Sequence, residues 1–156
     1  MDLGLKGKTA VILGGTRGIG RCIAETTAAE GANVAICARN GDQVAAAVEA
    51  LSKTGVRATG KAVDIKDGKA LIDWIGEVAD ELGGVDILVS NAGAMAQGND
   101  AESWRQNFEL DVLGAVNARE LLQAYDRIGS WTRWSLPNRY DDRYGICQSN
   151  PGNVCQ

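Results

Sequence analysis

Short apolar runs, each followed by a stretch of helical periodicity, limit most sharply what this chain can fold into. The first run, Thr9-Ala10-Val11-Ile12-Leu13, has β-branched members and no polar alternation, the pattern of a strand covered on both faces. Ile19, Ile23 and Thr27 follow at helical spacing, and Gly31 supplies a stop. Asn33 to Ala38 reads as a second strand, and Val44, Val48 and Leu51 mark a second helix closed by Gly55. Residues 56–63 read as a third strand ending at Val63, just before Asp64. Asp67 then caps a third helix with Leu71, Ile75, Val78 and Leu82 on one face. Val85 to Val89 is the fourth strand. A long helix is predicted from about Glu102 past Leu122, with Trp104, Phe108, Val112 and Ala115 facing inward. Strands alternating with helices imply parallel pairing and right-handed crossovers. Strands that are apolar throughout imply helices on both faces of the sheet. The fold class is therefore α/β, a doubly wound parallel sheet of which the first four strands are encoded.

Composition divides the chain. Its 156 residues suit one domain. Residues 1–123 contain no proline and carry the strand and helix pattern. Residues 124–156 hold both prolines, all three tyrosines, two of the four tryptophans and two of the four cysteines, with no visible period. The net charge of −4 implies no basic face for nucleic acid or an anionic membrane. No apolar run approaches the roughly 20 residues of a membrane span. The start, Met1-Asp2-Leu3-Gly4, lacks the basic and apolar regions of a signal peptide, so a cytoplasmic setting is expected. With no CxxC pair and no histidine, a metal site is not expected. Cys22 and Cys37, set within periodic apolar segments, are expected to behave as small hydrophobes.

The functional signal is the loop Gly14-Gly15-Thr16-Arg17-Gly18-Ile19-Gly20 between the first strand and its helix. A helix N-terminus presents unpaired N–H groups and the positive end of a dipole, which a pyrophosphate can reach only where side chains are absent. Gly14 permits the tight turn, Gly18 the close approach, and Gly20 the packing of helix on strand. A Rossmann-type dinucleotide site is implied. An acidic residue about 20 positions further on would hold a ribose 2′-hydroxyl and favour NAD. This chain has Ala38-Arg39 instead. Arg39 offers a bidentate partner for a 2′-phosphate, and Arg17 adds a second positive contact. NADP(H) is therefore predicted over NAD(H). The alternative for Arg39 is a solvated surface arginine.

At this point the chain resembles the classical short-chain dehydrogenase/reductase family over about residues 5–123. Gly14, Gly18 and Gly20 fit its Thr-Gly-x-x-x-Gly-x-Gly motif, with Leu13 in place of the threonine. Ser90-Asn91-Ala92-Gly93 looks like its Asn-Asn-Ala-Gly motif, and Asp64, followed by Ile65, stands where the family bonds the adenine amine. The resemblance implies a cofactor set of Gly14, Thr16, Arg17, Gly18, Ile19, Gly20, Arg39, Asp64, Ile65, Asn91, Ala92 and Gly93. Asp64 could instead cap the following turn, and Asn91 could be a turn residue. Asp111, in Asp111-Val112-Leu113-Gly114, aligns with a family Asn that helps hold a proton relay. Aspartate keeps an acceptor there but loses the amide donor, and a purely structural helix Asp is the alternative.

The resemblance also implies hydride transfer between a nicotinamide cofactor and a small carbonyl or alcohol substrate, with Ser, Tyr and Lys handling the proton. No Tyr-x-x-x-Lys occurs, since no lysine follows Lys69. The nearest spacing, Tyr140-Asp141-Asp142-Arg143-Tyr144, sets carboxylates beside the phenols, which opposes phenolate formation. In the family's strand order 3-2-1-4-5-6-7 the fourth strand would be left as an edge, which Trp131 and Trp134 could cover. The break after Gln123 suggests a truncated or frame-shifted end; the codons of Asn153-Val154-Cys155, read one base later, permit Met-Tyr-Ala. Impaired catalysis, a non-catalytic nucleotide-binding module or partner subunit, and a non-functional fragment are the readings that follow. A homo-oligomer is compatible with the long helix, which resembles the family's dimer-forming one.

Overall fold

A computed structural model describes residues 3–93 and 98–117. In chain order they form β1 (Thr9–Leu13), α1 (Gly18–Ala29), β2 (Asn33–Ala38), α2 (Gly41–Ser52), β3 (Ala58–Ala62), α3 (Gly68–Leu82), β4 (Ile87–Ser90) and α4 (Ala101–Asn107), which continues as a π-helical turn, Phe108–Leu113. The sheet is parallel with strand order β3-β2-β1-β4. This is the doubly wound Rossmann-type arrangement expected from the alternation.

Period-two geometry explains why the strands are apolar throughout. Along β1, Val11 and Leu13 point to one face and Ile12 to the other; along β2, Ala35 and Cys37 oppose Val34 and Ile36. The first set packs on α3 through Leu71, Trp74, Ile75, Val78 and Leu82. The second packs on α1 and α2 through Ala24, Ala28, Val44, Ala47 and Leu51. Every residue of β1 is buried, as suits a strand with a helix layer on each side and a strand on each edge. Helix α3 starts where predicted, with the Asp67 carboxylate accepting from the Ala70 N–H, and ends on Gly83 at φ 86°.

Four local expectations need correction. The β3 strand is no apolar run: its residues are partly or fully exposed, because it is an edge of the described sheet. Its rim is polar. Arg57 donates to the Glu81 carbonyl, Thr59 Oγ1 lies 3.1 Å from Glu81 Oε2, and Lys61 Nζ lies 2.8 Å from Glu77 Oε2, so charged side chains guard the edge. In α1 the buried stripe is Gly20, Ala24 and Ala28, one position on from the predicted one, and Ile19 is 74% exposed. Only small side chains fit there, because the helix starts directly against the β1 turn. Cys22, on the same helix, is consequently exposed, whereas Cys37 is buried. Finally, Trp104, Phe108 and Val112 face outward and are exposed, and Ala115 is only partly buried. Periodicity shows which residues share a face but not which face meets the core. The π turn also widens the helix, so that Leu110 and Gly114 make the inward contacts. The predicted continuation past Leu122, the tail and its aromatic residues lie outside the described residues.

Helix α3 gives a direct check on this packing. Ile75 is 1% exposed and its neighbour Ile72 43%. Ile75→Ala should destabilise by about 2–5 kcal/mol, and Ile72→Ala by less than about 1 kcal/mol, in urea unfolding monitored by tryptophan fluorescence.

Candidate functional site

The carboxyl ends of β1, β2, β3 and β4 converge on one edge of the sheet, where open α/β sheets take ligands. The centre is the β1 turn. Gly14 has φ 79°, in the left-handed region, and a Cβ on it would stand 2.9 Å from the Cα of Ala92. A Cβ on Gly20 would overlap both the Gly14 carbonyl and the Asn91 side chain. The role of Gly20 is therefore to bring helix α1 onto the turn and the β4 loop rather than onto the strand. Asn91 ties the two loops: its Nδ2 donates to the Gly14 carbonyl at 3.2 Å, and its N–H donates to the Leu13 carbonyl. The Gly14 N–H donates in turn to the Cys37 carbonyl. Gly15 lies between the glycines of the motif. A Cβ there would lie 2.6 Å from Ile36 Cγ2, so the second glycine allows the turn to rest on β2.

Gly18 differs from these. It has φ 56°, and among the described residues nothing lies within 4 Å of a Cβ placed on it. No described residue therefore fronts the first turn of α1 at this glycine. Arg17 at the N-cap makes no side-chain cap, and the first turn holds no acidic residue. The N-termini of α2, α3 and α4 are instead capped by Asn40, Asp67 and Asp100. The amides at the start of α1 are thus left for an outside acceptor. Arg17, Gly18 and Ile19 are exposed at this mouth, with Thr16 half-buried behind them. Arg39 is exposed just past β2, and the strand-end segment Ala38-Arg39-Asn40 includes no carboxylate.

At the β3 end, Asp64 is exposed and its Oδ1 accepts the Lys66 N–H at 3.0 Å, which is the turn-capping alternative noted from sequence. Ile65 is 4% exposed, and its side chain belongs to the core. Ala92 is half-buried and Gly93 exposed at the β4 end. Asp111 sits in the π turn, where a Cβ on Gly93 would be 3.4 Å from its Oδ1. The structure thus brings the glycine turn, Asn91, Ala92, Gly93 and Asp111 together. Arg39 and Asp64 stand at neighbouring strand ends.

Beneath this edge, burial pushes the Cys37 thiol up to about 12, partly opposed by a backbone hydrogen bond to Gly14. Among the described residues no group of side chains could hold a metal ion, and no helix is long and apolar enough to cross a membrane.

A doubly wound sheet with a glycine turn at its central strand defines a Rossmann-type α/β protein. The chain belongs to the short chain dehydrogenase family, whose model matches residues 8–128. It is 35% identical over 130 residues to isoepoxydon dehydrogenase patN of Penicillium expansum, covering 80% of this chain and 48% of that protein. It is 31% identical over 126 residues to 2,3-dihydro-2,3-dihydroxybenzoate dehydrogenase of Bacillus subtilis, covering 78% and 48%. Among solved structures, L-sorbose reductase from Gluconobacter frateurii complexed with NADPH and L-sorbose shares 38% identity at a TM-score of 0.71, over 80% of this chain and 51% of that one. A short chain dehydrogenase from Mycobacterium paratuberculosis bound to NAD shares 28% identity at a TM-score of 0.72, over 77% and 51%. The chain spans about half the length of the curated relatives it matches.

Two measurements test this geometry. Gly20→Ala should lower stability by about 1–3 kcal/mol, because the added methyl forces the α1 start off the Asn91 bond; an unchanged urea midpoint would contradict the contact. The second concerns Cys37. Its folded-state thiol titrates higher than the unfolded one, so the folded state holds the proton longer. Its contribution to stability is complete below the ordinary thiol pKa of 9.0 and is lost as pH rises toward about 12. The melting temperature should therefore fall less steeply above about pH 9 in Cys37→Ala than in the parent protein.

Proposed function

We propose that this chain binds NADP(H) at the Gly14–Gly20 turn, within an oxidoreductase lineage that moves hydride between nicotinamide and a small carbonyl or alcohol substrate. The observation that carries the reading is the uncapped start of α1 behind the open face of Gly18. Its free amides suit a pyrophosphate. Arg39 is the partner for a 2′-phosphate, and the strand-end segment Ala38-Arg39-Asn40 carries no acidic residue to repel one. Arg17 adds positive charge beside the turn. Asn91 acts by holding the Gly14 carbonyl and so the shape of the turn. Ile65 contributes through its backbone, since its side chain is in the core. When bound, the nicotinamide group supplies the hydride.

The proton side of the reaction has no counterpart in this sequence, because there is no Tyr-x-x-x-Lys. We therefore read the chain as a cofactor holder with impaired turnover. The same absence favours, as a second reading, a non-catalytic nucleotide-binding module or a subunit that pairs with a complete relative.

Calorimetric titration separates the possibilities. NADPH should bind more tightly than NADH. Arg39→Asp should weaken NADPH by about 10–100-fold, the worth of one charge-assisted pair, and weaken NADH far less. Tighter NADH binding by the parent protein would defeat the NADP(H) assignment. Steady turnover of a ketone with NADPH would defeat the reading of impaired catalysis.

A further inference from the structure

We propose that Asn40 is a site of spontaneous deamidation, and that the carboxylate formed there turns the dinucleotide site from NADP(H) toward NAD(H). The change of preference rests on the dinucleotide reading above; the deamidation does not.

Asn40-Gly41 is the one Asn-Gly step in the chain. Asparagine amides are thermolabile, and a following glycine leaves the next backbone nitrogen unshielded by a Cβ. Arg39, Asn40, Gly41, Asp42 and Gln43 are all exposed, and the first buried residue of α2 is Val44. Water therefore reaches the whole step. Gly41 is the first residue of α2, so its N–H has no partner within the helix and none among the described residues.

The Gly41 nitrogen, its proton taken up by solvent, attacks Asn40 Cγ. The N–Cγ bond forms, the Cγ–Nδ2 bond breaks and ammonia leaves, which closes a cyclic imide. Water then opens the ring to aspartate or to its β-linked isomer. One water is consumed, one ammonia is released, nothing is oxidised or reduced, and either product carries one new carboxylate. Hydrogen bonds back to Asn40 time the step. Its Oδ1 accepts from the Gln43 N–H at 2.9 Å, and its carbonyl accepts from the Val44 N–H at 3.1 Å. With Asn40 extended at ψ 111°, this capping pose turns Cγ away from the Gly41 nitrogen, so attack requires the first turn to open. Helix ends open most readily, and this one buries no side chain before Val44.

The consequence follows from charge. Residues 39–43 hold one arginine and one aspartate, Arg39 and Asp42, which balance. A carboxylate at position 40 makes the segment net negative, directly beside the group that addresses the 2′-phosphate. It repels that phosphate, whereas a ribose 2′-hydroxyl gains an acceptor of the kind that favours NAD. The helix tolerates the change, because aspartate caps as well as asparagine and suits the positive end of the dipole.

The test incubates the full chain at mildly alkaline pH and follows it by peptide mapping in the mass spectrometer and by calorimetric titration with NADPH and NADH. Acid should appear at Asn40 ahead of Asn33, Asn91 and Asn107, and NADPH affinity should fall in step with it. Asn40→Asp, made directly, should bind NADPH about three- to tenfold more weakly than the parent protein and NADH within a factor of about two. A Cβ on Gly41 would meet Ala62 Cβ at 3.7 Å, an ordinary contact, so Gly41→Ala should keep the fold and lose the acid product. Acid that never forms at Asn40, or forms there no sooner than at the other three asparagines, overturns the proposal. An Asn40→Asp variant with the parent's ratio of NADPH to NADH affinity overturns it as well. Failure of the fresh parent protein to bind either dinucleotide removes the dinucleotide reading and the change of preference with it, whatever the masses show.

Discussion

The hydrogen bond from Asn91 to the Gly14 carbonyl is the contact on which the arrangement of the site depends. It joins the turns after β1 and β4, which are 77 residues apart in sequence, and it works only because no side chain intervenes. Gly14 lets the Ala92 backbone approach, and Gly20 lets the start of α1 close over the same carbonyl. A methyl group at either position would push the two turns apart. The consequence reaches outward. With α1 drawn this close, its buried stripe must be small, which is why Ala24 and Ala28 meet the sheet while Ile19 faces solvent. The glycine turn is thus first a packing device. Its capacity for an anion is what remains at Gly18, where packing makes no demand.

The two described edges of the sheet differ in kind. The β3 edge is finished: Arg57, Thr59 and Lys61 reach across to Glu81 and Glu77 of α3 and line the rim with charge. Among the described residues the β4 edge has no such rim. Ile87, Leu88 and Val89 are only partly buried, although they pair with β1, which is buried throughout. The outward face of α4 is apolar too, with Trp104 65% and Phe108 54% exposed.

Much of the fold was legible because burial writes itself into sequence at a fixed period. The spacing of Leu71, Ile75, Val78 and Leu82 marks one face, and all four are buried together on α3. The unbroken apolar run Thr9 to Leu13 marks a strand covered on both sides, and β1 is buried throughout. Reading failed where neighbours, rather than periodicity, decide exposure. The third strand has the position but not the composition of a core strand, because it is an edge. The stripes of α1 and α4 were misplaced, the first by the close approach at Gly20, the second by a π turn that no local pattern in Phe108–Leu113 announces. In the site, the glycines and Asn91 were recognisable as types. What was hidden was their division of labour, because a missing Cβ leaves no trace of what it would have struck.

By itself, the sequence determined the order of strands and helices, the presence of helices on both faces, and the glycine turn after the first strand. These follow from local periodicity and from the conformations that only glycine adopts readily. Tertiary structure alone decided which glycine is held shut and which is open, that Asp64 caps its own turn, and that Asp111 stands beside Gly93. Those outcomes depend on groups brought together from distant parts of the chain. Their distances are fixed by the packing of whole helices on the sheet, which no short stretch of residues encodes.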